Sequence, residues 1–237
     1  MADAGNNLIV ALDYDSAGAA LDLAKRLDPA TLRLKVGKQL FTRAGPDIVR
    51  SLQGLGFDIF LDLKFHDIPT TVAKAVKSAA ELGVWMVNVH ASGGSRMLRA
   101  AREALNDSPR PPLLVAVTVL TSMDQEDLAE LGCDNAPIDR VCQLAALAES
   151  AGLDGVVCSA AEAAVLSVRQ REGFLLVTPG IRLAGDEAGD QRRIVTPESA
   201  VADGATHLVV GRSITASDDP AKTAADIHAS LDALASG

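Results

Sequence analysis

Aromatic side chains are scarce: Phe, Trp and Tyr make up 3% of the 237 residues, with one Trp and one Tyr. A surface that binds nucleic acid by stacking bases on rings is excluded by that poverty. Positive charge is also in deficit, with 22 Lys and Arg against 31 Asp and Glu, a net charge of -9, and no basic block. Nucleic acid is therefore not expected as a partner. Any anionic ligand must be met by local positive charge, which makes the positions of Lys35, Lys64, Arg182 and Arg212 informative. The three cysteines, Cys133, Cys142 and Cys158, form no C-x-x-C pair. That argues against a disulfide framework or a structural zinc site and leaves them as packing residues. Long apolar runs are missing too. LLVAVTVL at 113 to 120 is far too short to cross a bilayer, and the MADAGNN opening lacks the pattern of a signal peptide, so a cytoplasmic protein with no membrane partner is expected.

What is present is an ordinary core-forming composition, 48% hydrophobic and 22% charged, with no low-complexity tract. The length is compatible with one α/β barrel. Short β-rich runs recur at LIVALD (8 to 13), LRLKVG (32 to 37), DIFLDLK (58 to 64), WMVNVH (85 to 90), LLVAVTVL (113 to 120), GVVCS (155 to 159), FLLVTPG (174 to 180) and HLVVGR (207 to 212). Helical patterns lie between them. Ala17, Ala20, Leu21, Ala24 and Leu27 form one apolar stripe, and Val72, Val76, Ala79 and Ala80 form another after Pro69, with Lys74, Lys77 and Glu81 opposite. Gly83 closes that helix, and Thr196-Pro197 opens a later one.

Eight alternating units predict a single (β/α)8 TIM barrel over residues 1–237, with a short tail at 1–7. A doubly wound open sheet is the alternative, but no G-x-G-x-x-G follows the first strand. Polar residues instead recur at nearly every strand end: Asp13, Lys35, Asp62 with Lys64, His90, Thr118 with Thr121, Ser159 and Arg212. In a barrel these ends converge on one mouth, where sites are built.

The densest cluster is DLKFHDIPTTV, residues 62 to 72. Asp62 and Lys64 are two apart on a strand and point to one face, so they share one environment. Charged groups are rarely buried without a partner, and several of them at one mouth predict a site rather than a structural pair. At the other side of the mouth, TPGIR (178 to 182) and VVGRS (209 to 213) end strands 7 and 8, where barrels of this type hold phosphate. Gly180 and Gly211 let backbone approach a ligand, and Arg182 and Arg212 supply charge suited to bidentate contact. The polar segment LAGDEAGDQRR, 183 to 193, is placed to act as a closing lid. His66 and His90 are expected to be hydrogen-bonded structural residues.

With DLKFHDIPTT at strand 3, VTVLTS at strand 5, TPGIR at strand 7, GDQRR in the loop and GRSI at strand 8, the chain resembles the orotidine 5′-monophosphate decarboxylase family over nearly its whole length. The resemblance implies a cofactor-independent, metal-free carboxy-lyase that turns orotidine 5′-monophosphate into uridine 5′-monophosphate in pyrimidine biosynthesis. It implies Lys64 as the catalytic lysine within an alternating array of Lys35, Asp62, Lys64 and Asp67. It further implies a homodimer, with Asp67, Ile68 and Thr71 serving the neighbouring subunit's site. Asp13 would meet a ribose hydroxyl, Thr121 or its neighbour Ser122 the pyrimidine, Gln191 both base and phosphate from the lid, and Arg182, Gly211 and Arg212 the phosphate.

The chemistry thus implied is demanding, because losing CO₂ from C6 leaves an sp² electron pair that the ring delocalises poorly. Stabilisation in the upper part of the roughly 8–23 kcal/mol range open to enzymes is needed, and fixed charge must supply it. Lys64 must be an ammonium before reaction, and a carboxylate at 4 Å contributes roughly 4 kcal/mol at an effective dielectric near 20. Two rival readings remain: a Mg²⁺-dependent sugar-phosphate decarboxylase or aldolase of the same superfamily, and a barrel that binds nucleotides without turnover. The metal-dependent relatives carry a carboxylate near the end of strand 2, where this chain has Lys35, and a lysine would repel Mg²⁺.

Overall fold

The apolar runs are nearly continuous, as strands covered on both faces require, and the computed structural model, which describes residues 7–183 and 195–235, pairs them all in parallel. Among these residues the strands are β1 (Leu8–Ala11), β2 (Arg33–Gly37), β3 (Ile59–Phe65), β4 (Met86–His90), β5 (Leu113–Val117), β6 (Gly155–Val157), β7 (Leu175–Pro179) and β8 (His207–Val210). They close in sequence order, with β1 paired to β8, so the expected barrel forms and the open sheet does not.

Helices run between the strands: α1 (Ala17–Ala24), α2 (Lys38–Ala44), α3 (Pro46–Gly54), α4 (Pro69–Glu81), α5 (Gly94–Glu103), α6 (Gln125–Glu130), α7 (Pro137–Ser150), α8 (Ala160–Leu166), α9 (Pro197–Ala202), α10 (Arg212–Thr215) and α11 (Pro220–Ala235). Local chemistry starts and stops them. Pro69 opens α4 at its first turn, Val72, Val76 and Ala79 face inward, and Gly83 takes a φ of 77° beyond the end. The Thr196 hydroxyl accepts from the Ser199 N–H and caps α9, as the sequence predicts. In α1 the fully buried positions are Ala20, Leu23 and Ala24, while Leu21 is only half-buried, so the stripe is rotated toward Leu23.

Strand alternation divides the core into two layers. Leu8, Val10, Leu34, Val36, Leu61, Val87, Ala116 and Val210 face the helices, while Ile9, Ala11, Phe60, Met86, Val115, Val177 and Val209 fill the barrel. The interior is packed up to the level of Phe60 and Val209. Above it, at the C-terminal ends of the strands, lies a cavity of about 260 Å³. Two strand-end residues that the sequence places at the mouth are engaged in structure instead. The Thr118 hydroxyl donates to the Val157 carbonyl at 3.1 Å, and Ser159 forms a reciprocal capping box with Glu162 at the start of α8.

Candidate active site

Lys35, Asp62, Lys64 and Asn88 line one side of the cavity, and Val117, Val119, Leu120, Thr121, Ser122, Val157, Pro179 and Val209 form the rest of its wall. Lys35 on β2 and Asp62 on β3 stand on neighbouring strands two register positions apart, Lys35 opposite Phe60 and Asp62 opposite Gly37, and both are buried. Lys35 Nζ lies 3.3 Å from Asp62 Oδ2 and 3.3 Å from Asp13 Oδ1, bridging the two carboxylates. Gly37 makes room for that bridge: a Cβ there would stand 3.3 Å from Lys35 Nζ and 3.5 Å from Asp13 Oδ1. Lys64 Nζ sits 2.6 Å from Asp62 Oδ1, a short charge-assisted hydrogen bond.

Burial alone would raise the Asp62 carboxyl, but the charges of Lys35 and Lys64, with hydrogen bonds from Lys64 and Asn88, outweigh it and hold its pKa below the ordinary value. Asp62 is thus an anion gripped from three sides. Lys64 reaches it by an unusual backbone. Its φ of 52° is the only positive value among described residues other than glycine, a conformation that costs about 1–2 kcal/mol. The β3–β4 pairing shifts register between Leu61 and Phe65, across this residue. The two charges meet as the two-residue spacing predicts, but through a bulge and not through regular strand alternation.

The remaining predicted residues divide by position. Asp13, largely exposed, joins the array through Lys35. Thr121 and Ser122 both line the cavity, so the structure leaves both as candidates for the pyrimidine contact. Arg182 follows β7 and is buried, with its backbone N–H on the Val195 carbonyl at 3.0 Å. Gly211 and exposed Arg212 lead into α10 directly after β8. A Cβ on Gly211 would meet only Ala11 and Asp13, at 3.8 and 3.9 Å, so the protein's own packing does not demand glycine there. Gln191 lies outside the described residues, as does most of the proposed lid segment.

Asp67 is not brought to Lys64 of its own chain. Its carboxylate accepts from the Ile68 N–H at 2.6 Å on the exposed rim, and among the described residues it makes no ion pair with Lys64. Ile68, 64% exposed, and Thr71, also exposed, stand beside it at the start of α4.

His66 and His90, expected to be hydrogen-bonded structural residues, instead face each other with ring centroids 5.5 Å apart; His66 is exposed, and neither ring has a hydrogen bond among the described residues. Burial, followed by the charges of His66, Lys38 and Lys64, lowers the pKa of His90 to about 4, so it is neutral at pH 7. Cys158 is buried, and burial together with nearby Glu162 pushes its thiol pKa well up, in keeping with an unreactive packing residue.

Asn88 is the site residue that motif reasoning passes over. It belongs to no charged cluster, but its signal was available: an amide at the inward-facing position of an otherwise apolar strand must find partners in the interior.

Fold and site together define a (β/α)8-barrel enzyme that sets an ammonium against a buried carboxylate at the mouth of the barrel. The chain belongs to the orotidine 5′-phosphate decarboxylase / HUMPS family, whose model matches residues 6–227. It is 58% identical over 231 residues to the orotidine 5′-phosphate decarboxylase of Teredinibacter turnerae, covering 98% of this chain and 100% of that one. To the enzyme of the same description from Escherichia coli it is 60% identical over 225 residues, 94% of this chain and 92% of the other. The crystal structure of orotidine 5′-phosphate decarboxylase from Lactobacillus acidophilus superimposes with a TM-score of 0.84 at 38% identity, covering 95% of this chain and 98% of its own.

Proposed function

We propose that this chain is a carboxy-lyase that converts orotidine 5′-monophosphate to uridine 5′-monophosphate and CO₂, a step of pyrimidine biosynthesis, using charge placed by the protein alone. The observation that carries the reading is the Lys35–Asp62–Lys64 array, with Lys64 Nζ 2.6 Å from Asp62 Oδ1 at the cavity wall. The bond from C6 to the carboxylate breaks, CO₂ leaves, and the electron pair stays on C6. The Lys64 ammonium faces that pair as it develops and then transfers a proton to C6; solvent later returns a proton to the amine. Asp62 pairs with the Lys64 ammonium and stands near the substrate carboxylate, whose repulsion is relieved as CO₂ departs. Lys35 balances and orients Asp62.

In this reading Asp13 binds a ribose hydroxyl, Thr121 or Ser122 the pyrimidine, and Gln191 bridges base and phosphate. Arg182, Gly211 and Arg212 hold the phosphate, far from C6, so that binding energy gained there orients the ring. Asp67, Ile68 and Thr71 complete the site of the neighbouring subunit in a homodimer. The rim position of Asp67, away from its own Lys64, supports that arrangement. Against the Mg²⁺-dependent relatives stands the donor set itself, since Lys35 occupies the strand-2 end where a metal carboxylate would be required.

The test is a spectrophotometric one: the purified protein should deplete orotidylate absorbance at an undiminished rate in excess chelator. No depletion would remove the assignment, and depletion abolished by chelator would favour the metal-dependent reading. Arg212→Ala should raise KM and lower kcat, with kcat/KM reduced about 10- to 100-fold for a lost charge-assisted contact. Unchanged constants would show that the phosphate lies elsewhere.

A further inference from the structure

Asn88 stands where the parts of the charged array meet. It lies within β4, has none of its surface exposed, and faces the cavity beside Asp62 and Lys64. Its Nδ2 donates to Asp62 Oδ1 at 2.7 Å, and its Oδ1 accepts from the backbone N–H of Lys64 at 2.7 Å. Chemistry fixes the direction of the amide: a carboxylate can only accept and a peptide N–H can only donate, so each partner takes one end. The ladder between β3 and β4 is interrupted between Leu61 and Phe65, and within that gap the Lys64 N–H is taken up by this side chain.

We infer that Asn88 is a positioning residue for the decarboxylation, tying the left-handed backbone of Lys64 to the Asp62 carboxylate so that the ammonium and the anion are held in register. The inference rests on the decarboxylase reading above. It follows from what each part would do without the carboxamide. The Lys64 N–H would lose its acceptor at a backbone conformation that lysine does not favour. Asp62 would lose the one uncharged donor it has among the described residues and would be held by the two lysines alone. At neutral pH the carboxamide is the uncharged group of this size that carries its donor and its acceptor on two separate atoms.

Asn88→Asp makes the idea testable, because it keeps the shape and the acceptor for Lys64 N–H but turns an oxygen toward Asp62. Ionised, that oxygen repels Asp62; protonated, it donates an O–H and restores the original pattern. The titratable groups facing position 88 are Asp62 and Lys64 on β3, Lys35 on β2 acting through Asp62, and His90, neutral at pH 7, two residues along β4; the neighbouring β5 presents uncharged Val115 and Val117.

The experiment compares the variant with the wild-type protein from pH 5 to pH 8, following orotidylate depletion. At pH 8 the variant should show kcat reduced at least about 100-fold with KM within about three-fold, the loss seen when one preorganised partner is removed. The ratio of variant to wild-type kcat should rise toward pH 5 as the introduced acid is protonated. A ratio that stays flat with pH, or a kcat within three-fold of wild type at pH 8, overturns the inference. Should Asn88→Asp not fold, Asn88→Ser decides the matter, since one short hydroxyl cannot reach both partners: kcat at least ten-fold down with KM preserved supports the inference, and an unchanged kcat overturns it. A wild-type protein that leaves orotidylate intact would instead sink the decarboxylase reading itself, so the two failures are distinct.

Discussion

Lys64 joins a left-handed backbone to a partly buried ammonium, and neighbours on β3 and β4 offset both costs. Its role is the most exposed to test. Lys64→Ala should lower kcat by at least about 10⁴, since one side chain would be supplying both charge stabilisation and a proton. Retention of the full rate in a steady-state assay would remove the mechanism. His207 and His90 bear on stability. At the opposite end of the barrel from the cavity, His207 packs 5.5 Å from Trp85, whose ring is capped by Arg33 at 4.1 Å. Burial, then the charge of Arg33, lowers the pKa of His207 to about 4. Its pKa is depressed below the ordinary 6.5, so the unfolded chain binds the proton first. Stability is therefore complete above about pH 6.5 and declines as pH falls toward 4, and His90 acts in the same direction. For His207 the loss is on the order of 3 kcal/mol once both forms titrate. Thermal midpoints should drop between pH 7 and pH 4.5, and His207→Gln should flatten part of that slope; a slope identical to wild type would show that His207 is not the group responsible.

Among the elements, β6 and β7 meet at a point where no side chain fits between them. β6 carries Gly155 where a Cβ would lie 2.3 Å from the Leu175 carbonyl oxygen and 2.5 Å from its Cβ, both on β7. Backbone atoms of a paired strand cannot yield as a flexible side chain can. Gly155→Ala should therefore destabilise by about 1–3 kcal/mol or more, read as a lower denaturant midpoint at unchanged m-value. A midpoint within error of wild type would mean that β6 and β7 separate without cost. The register shift in β3 is the second element-level device. It concentrates an irregularity around Lys64 and leaves Phe60 and Leu61 regularly paired to Met86 and Val87 below it.

For the molecule as a whole, the exposed rim bearing Asp67, Ile68 and Thr71 bears on the number of subunits a site requires. If two chains share each site, mixing Lys64→Ala with Asp67→Ala should restore activity that neither has alone. Random pairing makes half the dimers mixed, with one intact site in two, so about a quarter of wild-type activity is expected after subunit exchange. A mixture no more active than its components would place Asp67 in its own subunit's site or outside any site. Among the described residues no helix is long and apolar enough to cross a membrane.

Strand count, alternation with helices and the charged positions were legible from the order of residues alone, because period and turn chemistry are local properties that survive in one dimension. LIVALD, LRLKVG and WMVNVH announce buried strands by composition, and Pro69 and Thr196 announce helix starts by cap chemistry. Asp62 and Lys64 were visible as partners through their spacing. It took the folded barrel to show that Thr118 and Ser159 serve the sheet and a helix cap, that Lys35 bridges Asp13 to Asp62, and that Lys64 arrives through a left-handed bulge. The barrel also shows that Asn88, an unremarked amide in an apolar strand, holds that bulge to its carboxylate. The physical reason is that each of these depends on which atoms of one strand lie opposite which atoms of the next, a registration set only when the barrel closes.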